Sequence, residues 1–217
     1  METEVYVIRY AHSRLKESLV VEAGSKETLL PISFCYYLIK TNNRNILVDV
    51  GCDTLPGFVL ENFVRPDLAL LETGVCPEQI TDVVLTHAHR DHIEGIHYYK
   101  NATAYMTGET YRQGKEYIPQ GMKVHTFENV YFLEDGIRLL EWGGHCAGSA
   151  VVEIQTNEKT HILVGDECYT NENIQKKLPT GAFADKEQAR RLVEIYSDSD
   201  YVVHTCHDIS LKTERVV

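Results

Sequence analysis

The sequence predicts an α+β fold in which two mixed β-sheets are flanked by helices. Short runs rich in Val, Ile and Tyr are interspersed with segments of helical spacing, and strands and helices occur in two similar halves. No sequence repeat, low-complexity tract or Pro/Ser-rich linker separates the halves. The halves should therefore pack into one body, and we expect residues 1–217 to form a single domain.

The individual elements follow from local pattern. Apolar runs bounded by turn residues predict strands, and the Asn-Asn-Arg-Asn segment at 42–45 predicts a hairpin turn. The predicted strands are residues 4–10, 34–40, 45–50, 81–86, 103–106, 123–126, 131–133, 138–142, 149–156, 160–164 and 201–204. Helical spacing predicts helices at residues 55–72 with an interruption at Pro66, at 77–79, from Asp91, at 108–117 and at 185–196.

The composition argues against several classes of protein. A net charge of −11 would repel a phosphate backbone, so we expect no nucleic-acid partner. The apolar stretches fall short of the roughly 20 residues that span a bilayer, and the N-terminus lacks a basic segment followed by an apolar run. The six cysteines are scattered singly, without paired spacing. We therefore expect a soluble, cytoplasmic protein with reduced thiols and no membrane partner.

The most informative segment is Thr-His-Ala-His-Arg-Asp-His at 86–92, directly after an apolar run. His87 and His89 are two residues apart at a strand end, where an extended backbone directs both imidazoles to one side. Asp91 and His92 fall in the turn and first helical residues that follow, where they can face a neighbouring point. A solvated polar loop is the plain alternative, but three interleaved histidines after a buried strand favour a site for two metal ions.

Three later segments each place a further candidate ligand after an apolar strand. These candidates are His145, Asp166 and His207. Loops at strand ends are where a rigid scaffold exposes ligands, although each of these residues could instead cap a turn. His204 competes with His207, but it lies inside an apolar run and is better explained as a core or outward-facing histidine. His207 falls past the strand, so we favour it as the ligand.

The His-X-His-X-Asp-His run, the later Gly-His and Gly-Asp pairs and the last His resemble the metallo-β-lactamase superfamily over nearly the whole chain. The resemblance implies an αββα sandwich with a dinuclear site between its sheets, occupied by two divalent ions, Zn²⁺ first and Fe or Mn as alternatives. It assigns His87, His89 and His145 to one ion, Asp91, His92 and His207 to the other, and Asp166 to both. A bridging hydroxide is implied as the nucleophile. Asp49 matches an early aspartate that orients a ligand histidine, or it caps its turn.

A more specific resemblance, to the acyl-homoserine lactone lactonase branch, lies in residues 166–173 (DECYTNEN) and in Cys-His-Asp at 206–208. In that branch a tyrosine three residues after the bridging aspartate faces the substrate carbonyl, so Tyr169 would donate a hydrogen bond to the developing oxyanion. Tyr169 could also simply pack beside the helix that follows. Asp91 is expected to pass a proton to the departing alkoxide.

The sequence departs from that branch at two positions. Glu94 stands where the branch usually carries Gly, and Ala147 stands where it carries Pro. With these departures, the resemblance predicts a zinc-dependent hydrolase that opens a small-molecule ester or lactone, N-acyl-homoserine lactones among them. A thioesterase or phosphodiesterase of the same superfamily and an iron-dependent redox relative are the alternatives.

Overall fold

The computed structural model describes residues 3–217 and places two β-sheets face to face with helices on their outer faces. The strands are β1 (Glu4–Lys16), β2 (Leu29–Lys40), β3 (Asn45–Val48), β4 (Asp82–Val84), β5 (Thr103–Thr107), β6 (Lys123–Phe127), β7 (Val130–Glu134), β8 (Ile137–Glu141), β9 (Ala150–Gln155), β10 (Thr160–Leu163), β11 (Tyr201–His204) and β12 (Glu214–Arg215). The α-helices are α1 (Glu17–Val20), α2 (Pro66–Ala69), α3 (Arg90–Ile93), α4 (Gly108–Gly114), α5 (Asn171–Lys176) and α6 (Lys186–Tyr196). Short 3₁₀ helices occupy Leu70–Thr73, Pro77–Gln79, Glu94–Tyr99 and Gly165–Glu167.

Both sheets mix parallel and antiparallel pairing. Across the described residues the first sheet has the strand order β12-β1-β2-β3-β4-β5-β6, and the second has the order β11-β10-β9-β8-β7. Pairing is antiparallel from β12 to β3 and parallel from β3 to β6. In the second sheet only β10 and β11 run parallel. The two-sheet αββα sandwich predicted from the sequence is confirmed.

The inner strands build separate apolar layers on their two faces. In β3, Leu47 packs in the layer between the first sheet and its helices, whereas Ile46 and Val48 pack in the layer between the two sheets. All three side chains are essentially inaccessible to solvent, and burying each stabilises the fold by about 2 kcal/mol. Strands buried on both faces explain why the sequence shows continuous apolar runs there.

Helix α6 covers the outer face of the second sheet. Leu192, Val193 and Tyr196 recur at helical spacing and are buried against that sheet. The side chain of Asp185 caps the helix by accepting hydrogen bonds from two backbone N–H groups of the first turn. With 11 residues α6 is the longest α-helix described, and no helix within residues 3–217 is long and apolar enough to cross a membrane.

The helix predicted at residues 55–72 is wrong over most of its length. Residues 55–65 contain no helix, and α2 begins only at Pro66. Arg65 is extended, with ψ of 134°, because a proline ring disfavours the helical conformation of the residue before it. The apolar side chains of this segment serve instead as the wall of a cavity described below.

The candidate ligands lie at one edge of the sandwich, where strands of both sheets end. Backbone hydrogen bonds join the sheets at this edge: the N–H of Ala150 donates to the carbonyl of Thr86 at 2.9 Å, and that of Cys35 to Cys206 at 3.1 Å. Gly165 has φ of +52°, and a Cβ there would lie 2.8 Å from Oγ1 of Thr86. Only glycine therefore allows the end of β10 to approach the end of β4 this closely.

Candidate metal centre

Four of the predicted ligands lie in the segment that follows β4. The rings of His87 and His89 meet edge to face with centroids 4.6 Å apart, so both imidazoles lie on one side of the extended backbone. Helix α3 begins at Arg90 and places Asp91 and His92 in its first turn. The ring of His92 lies 4.1 Å from that of His87. The change from strand to helix thus gathers the four side chains in one small volume.

Two clusters of metal-binding side chains share one aspartate in the described part of the chain. The first cluster contains His87, His89, His145 and Asp166. The second contains His92, Asp166, Cys206 and His207. Within each cluster the potential ligand atoms all lie within 4.8 Å of one another. The structure therefore brings together all of the predicted ligands except Asp91, which lies at the margin of the second cluster.

The first cluster surrounds Oδ2 of Asp166. This oxygen lies 3.7 Å from Nε2 of His87 and 3.5 Å from Nε2 of His145. The same His145 nitrogen lies 3.0 Å from Nδ1 of His89. Three imidazoles and one carboxylate oxygen facing a common point form a donor set that suits Zn²⁺.

The second cluster surrounds the other oxygen of the same carboxylate. Oδ1 of Asp166 lies 3.0 Å from Nε2 of His92 and 2.9 Å from Nε2 of His207. Oδ2 of Asp91 lies 3.5 Å from the first of these nitrogens and 3.9 Å from the second. One carboxylate thus faces both clusters, as expected of a bridging ligand.

The outward nitrogens of two ring ligands are held by backbone carbonyls. Nδ1 of His145 lies 2.7 Å from the carbonyl oxygen of Ala182, and Nδ1 of His207 lies 2.8 Å from that of Ser33. A carbonyl can only accept, so both Nδ1 atoms carry the proton and donate it. The Nε2 atoms thereby face Asp166, in the orientation that metal binding requires.

Asp49 performs the orienting role for a third ring. One of its oxygens lies 2.8 Å from Nδ1 of His92, and the carboxylate also accepts hydrogen bonds from the backbone N–H and hydroxyl of Thr86. The hydroxyl of Thr86 in turn lies 3.0 Å from Nδ1 of His87. A single buried carboxylate therefore fixes one ligand histidine directly and supports the residue that contacts a second.

Buried nitrogens in the two clusters fit a cation between the side chains. Among the described residues, Nε2 of His87 and Nε2 of His92 are fully buried and make no hydrogen bond. Both lie near the carboxylate of Asp166. An unpaired buried imidazole nitrogen is costly, and an ion bound to these nitrogens and the shared carboxylate would satisfy them. The residues present thus fit two metal ions, one for each cluster.

The charges around the shared carboxyl group of Asp166 favour its ionised form. Burial by itself raises the pKa of the Asp166 carboxyl, but the neighbouring His92 and His207 outweigh it and hold that pKa well below its usual range. For His207 burial by itself lowers the pKa, and the charge of Asp166 reverses the effect and raises it. Without metal, protons on these rings neutralise the carboxylate, and metal ions would displace them.

A cavity of about 320 Å³ opens onto the clusters. Its polar surface includes Asp91, Asp166 and His207, and its remaining surface is mainly apolar. The apolar wall consists of Leu15, Leu19, Ile32, Phe34, Leu55 and Phe58. The site therefore pairs a metal-binding floor with a wall suited to a hydrocarbon group.

Tyr169 lies in the same cavity. Its ring stacks on that of His207 with centroids 5.0 Å apart, and it is mostly buried. Burial, followed by the charge of Asp166, raises the pKa of the phenol well above its usual value. The hydroxyl thus stays protonated at neutral pH and remains available as a donor.

His204 lies apart from the clusters. Nε2 of His204 is 2.9 Å from Nδ1 of His161, and the two rings are stacked. The structure therefore brings the favoured His207, and not His204, to Asp166.

Sequence reasoning missed two residues of this region. Cys206 lies with its sulfur 3.5 Å from Oδ1 of Asp166, although it was treated only as part of a motif. Glu167 is buried, and its carboxylate accepts hydrogen bonds from the backbone N–H groups of Gly144 and His145. The sequence offered only one signal for the Glu167 contact, an acidic residue directly after a candidate ligand.

Comparison with known proteins places this chain in a family. Residues 33–207 match the family model of the metallo-beta-lactamase superfamily, so the chain belongs to that superfamily, as the sequence motifs predicted. An N-acyl homoserine lactonase of Bacillus cereus is 25% identical over 234 aligned residues, which cover 95% of this chain and 93% of the relative.

Solved structures show the same fold. An N-acyl homoserine lactone hydrolase with N-hexanoyl-L-homoserine bound at its catalytic metal centre superposes with a TM-score of 0.82 at 24% identity, covering 98% of both chains. AidC, a dizinc quorum-quenching lactonase, superposes with a TM-score of 0.75 at 16% identity, covering 96% of this chain and 88% of AidC. Both likenesses establish the sandwich fold.

Proposed function

We propose that the protein is a dinuclear metal-dependent hydrolase that opens lactones, with N-acyl-homoserine lactones as the leading substrate class. The observation that carries the proposal is the carboxylate of Asp166, whose two oxygens face separate clusters at the floor of an apolar cavity. The names of the Bacillus cereus relative and of the structural neighbours support the same activity.

The proposed ligands divide into two sets around that carboxylate. One ion would be held by His87, His89, His145 and Asp166, and the other by Asp91, His92, His207 and Asp166. Zinc is the proposed metal because imidazole and carboxylate donors suit it and because the neighbour AidC is described as dizinc. When bound, two such ions lower the pKa of water towards neutrality and polarise a carbonyl oxygen.

Two side chains of the cavity are placed to act on the substrate. The protonated phenol of Tyr169 would donate a hydrogen bond to the carbonyl oxygen as negative charge develops there. The Asp91 carboxylate lines the cavity and lies 3.5 Å from Nε2 of His92. It would take up a proton from the attacking water and deliver it to the departing alkoxide oxygen.

The apolar wall of the cavity is suited to bind the acyl chain of the substrate. Phe34 and Phe58 meet edge to face, 6.1 Å apart, beside the metal-binding floor. An acyl chain packed on these rings would be removed from water, which favours a lactone that carries a hydrocarbon arm over a bare polar ester.

The six cysteines are all free, which supports a reducing, cytoplasmic compartment.

The first test is a pH-stat assay of zinc-loaded protein on a panel of lactones, with a thioester and a phosphodiester alongside. We expect acid release from the lactones that stops on chelation and returns on adding zinc. Asp166→Asn, which weakens both clusters, should abolish it. Turnover of the thioester or phosphodiester alone would assign the chain to another hydrolase of the superfamily, and failure on all three with bound iron would favour the redox relative.

A further inference from the structure

Glu94 ties a surface loop to the helix that carries two candidate ligands. Oε2 of Glu94 accepts hydrogen bonds from the backbone N–H of Asp53 at 2.9 Å and of Thr54 at 3.2 Å. The side chain of Glu94 is only 15% exposed. Bonds from backbone N–H groups to an ionised carboxylate are among the stronger hydrogen bonds of proteins.

Arg90 completes the same contact from one helical turn earlier. Its guanidinium pairs with the other oxygen of Glu94 and donates to the hydroxyl of Thr54 at 3.0 Å. Three hydrogen bonds therefore join the helical segment to two consecutive loop residues, and the Arg90–Glu94 pair braces them from within the segment. We call Arg90 and Glu94 together the loop clasp.

The clasped loop leads directly into the apolar wall. Within residues 53–58, Phe58 folds back so that its N–H donates to the carbonyl of Leu55 at 3.0 Å. Both side chains line the cavity. The ring of Phe58 meets Phe34, which itself lies edge to face on His207 with centroids 5.1 Å apart. The position of this loop thus determines how far the wall stands from the metal-binding floor.

Glu94 is also a departure from the acyl-homoserine lactone lactonase branch that the sequence resembles, which usually carries glycine at this position. Glycine has no side chain and cannot accept the two loop N–H groups. The next residue remains glycine for a different reason, since a Cβ on Gly95 would lie 2.3 Å from the carbonyl oxygen of Val50. The change at position 94 therefore adds a contact without disturbing the close packing beside it.

We propose that the Arg90–Glu94 clasp is a specificity-determining device that fixes the Leu55–Phe58 wall and thereby sets the preference for the acyl arm of the substrate. This inference rests on the proposed lactonase function. Glu94 acts as a positioning residue, since it does not line the cavity itself and acts through the loop that it holds and through Arg90, which does line the cavity. Without the clasp the wall moves away from the floor, and a long acyl chain loses contacts that a bare lactone never makes.

The test compares γ-butyrolactone with N-decanoyl-homoserine lactone on wild type, Glu94→Ala and Glu94→Gln. For Glu94→Ala we expect kcat and KM on γ-butyrolactone within about twofold of wild type, and KM on the decanoyl substrate raised by about fivefold to tenfold. Glu94→Gln keeps one acceptor oxygen and should recover part of the loss. Glu4→Ala is the matched control, because Glu4 is also ion-paired but lies at the far end of β1.

Hydrogen exchange provides a readout that is independent of turnover. In Glu94→Ala the amides of residues 53–54 should exchange at least about tenfold faster, with exchange outside residues 53–58 unchanged. Thr54→Val, which loses only the acceptor for Arg90, should shift KM in the same direction by a smaller factor and serves if Glu94→Ala fails to fold.

The possible outcomes separate the two proposals. An unchanged ratio of the two KM values in an active Glu94→Ala enzyme would overturn the clasp and leave the lactonase function standing. An equal fall in kcat on both substrates would likewise overturn it, because it would indicate a general structural role. A wild-type protein that is inert on both lactones would overturn the proposed function and this inference with it.

Discussion

Asp49 and His92 meet through a 2.8 Å contact between Oδ2 and Nδ1, with both side chains almost fully buried. Asp49 directly follows β3, and His92 lies in α3, the first helix after the neighbouring parallel strand β4. Asp49 has φ of +63°, a backbone conformation that residues other than glycine seldom adopt. The backbone thus accepts an unfavourable conformation at the residue that orients a candidate ligand.

Removal of this orienting contact should weaken metal binding. We expect Asp49→Ala to lower affinity for the ion of the second cluster by about tenfold to a hundredfold, since partners of ligand histidines typically contribute that much. Competition with a chromophoric chelator measures the change. Asp49→Asn keeps the shape and one acceptor and should lose less, and equal affinity in all three proteins would contradict the role.

Tyr169 should matter for turnover and not for metal content. Its hydroxyl stays protonated because burial, followed by Asp166, raises the pKa of the phenol. We expect Tyr169→Phe to lower kcat by about a hundredfold, at the lower end of the range for a lost oxyanion donor. Metal analysis should still find two ions per chain. Tyr131→Phe, which removes a hydroxyl from the β7 strand, is the control, and unchanged kcat in Tyr169→Phe would remove the phenol from the mechanism.

Glu167 should support the first cluster through its backbone contacts. Its carboxylate accepts from the N–H groups of Gly144 and His145, at 3.1 and 3.0 Å, and from the hydroxyl of Ser149. In Glu167→Ala the loop that carries His145 loses these acceptors. We expect titration with Co²⁺ to show one site weakened by about tenfold or more and the other little changed. Equal weakening of both sites would indicate general destabilisation instead.

His204 should make the fold sensitive to acid. Burial, followed by the nearby His161, lowers the pKa of His204 from 6.5 to about 4. Between these values the unfolded chain binds the proton and the folded protein does not, so stability falls as pH drops from about 6.5 towards 4. The loss reaches about 3 kcal/mol at most.

Urea unfolding of chelator-treated protein at pH 7 and pH 5 measures that effect. His204→Gln should lose less stability than wild type between the two pH values, because it lacks the buried group. Identical losses would show that His204 does not carry the acid sensitivity. The two clusters titrate in both proteins, so their contribution cancels in the comparison.

Residues in the centre of the site were predictable because their chemistry is local. His87, His89, Asp91 and His92 follow one strand within six positions, and the change from strand to helix fixes where their side chains lie. Asp166 was a candidate because it follows a strand, but its bridging role was predictable only through resemblance, since a lone Gly-Asp pair after a strand does not reveal which groups its two oxygens face.

The remaining features depend on contacts between distant segments. The apolar spacing of residues 55–72 is compatible with a helix, but the helix begins only at Pro66. Before it, Leu55 and Phe58 line the cavity from a loop. Glu94 looked only like a departure from a family pattern, because its partners at residues 53–54 lie some forty positions earlier. Cys206 faces Asp166 only once β10 and β11 are paired.

The distribution of ligands over both sheets has a consequence for folding. His87 follows a strand of the first sheet, whereas Asp166 follows a strand of the second. Ions held between them would act as cross-links across the sandwich, added to the few backbone bonds that join the sheets at that edge. The free energy of unfolding should therefore rise with free zinc concentration, by about 2.7 kcal/mol when zinc is at a hundred times its dissociation constant. The melting temperature should rise with it. A cell short of zinc would then hold less of this protein in folded form, and not merely a less active one.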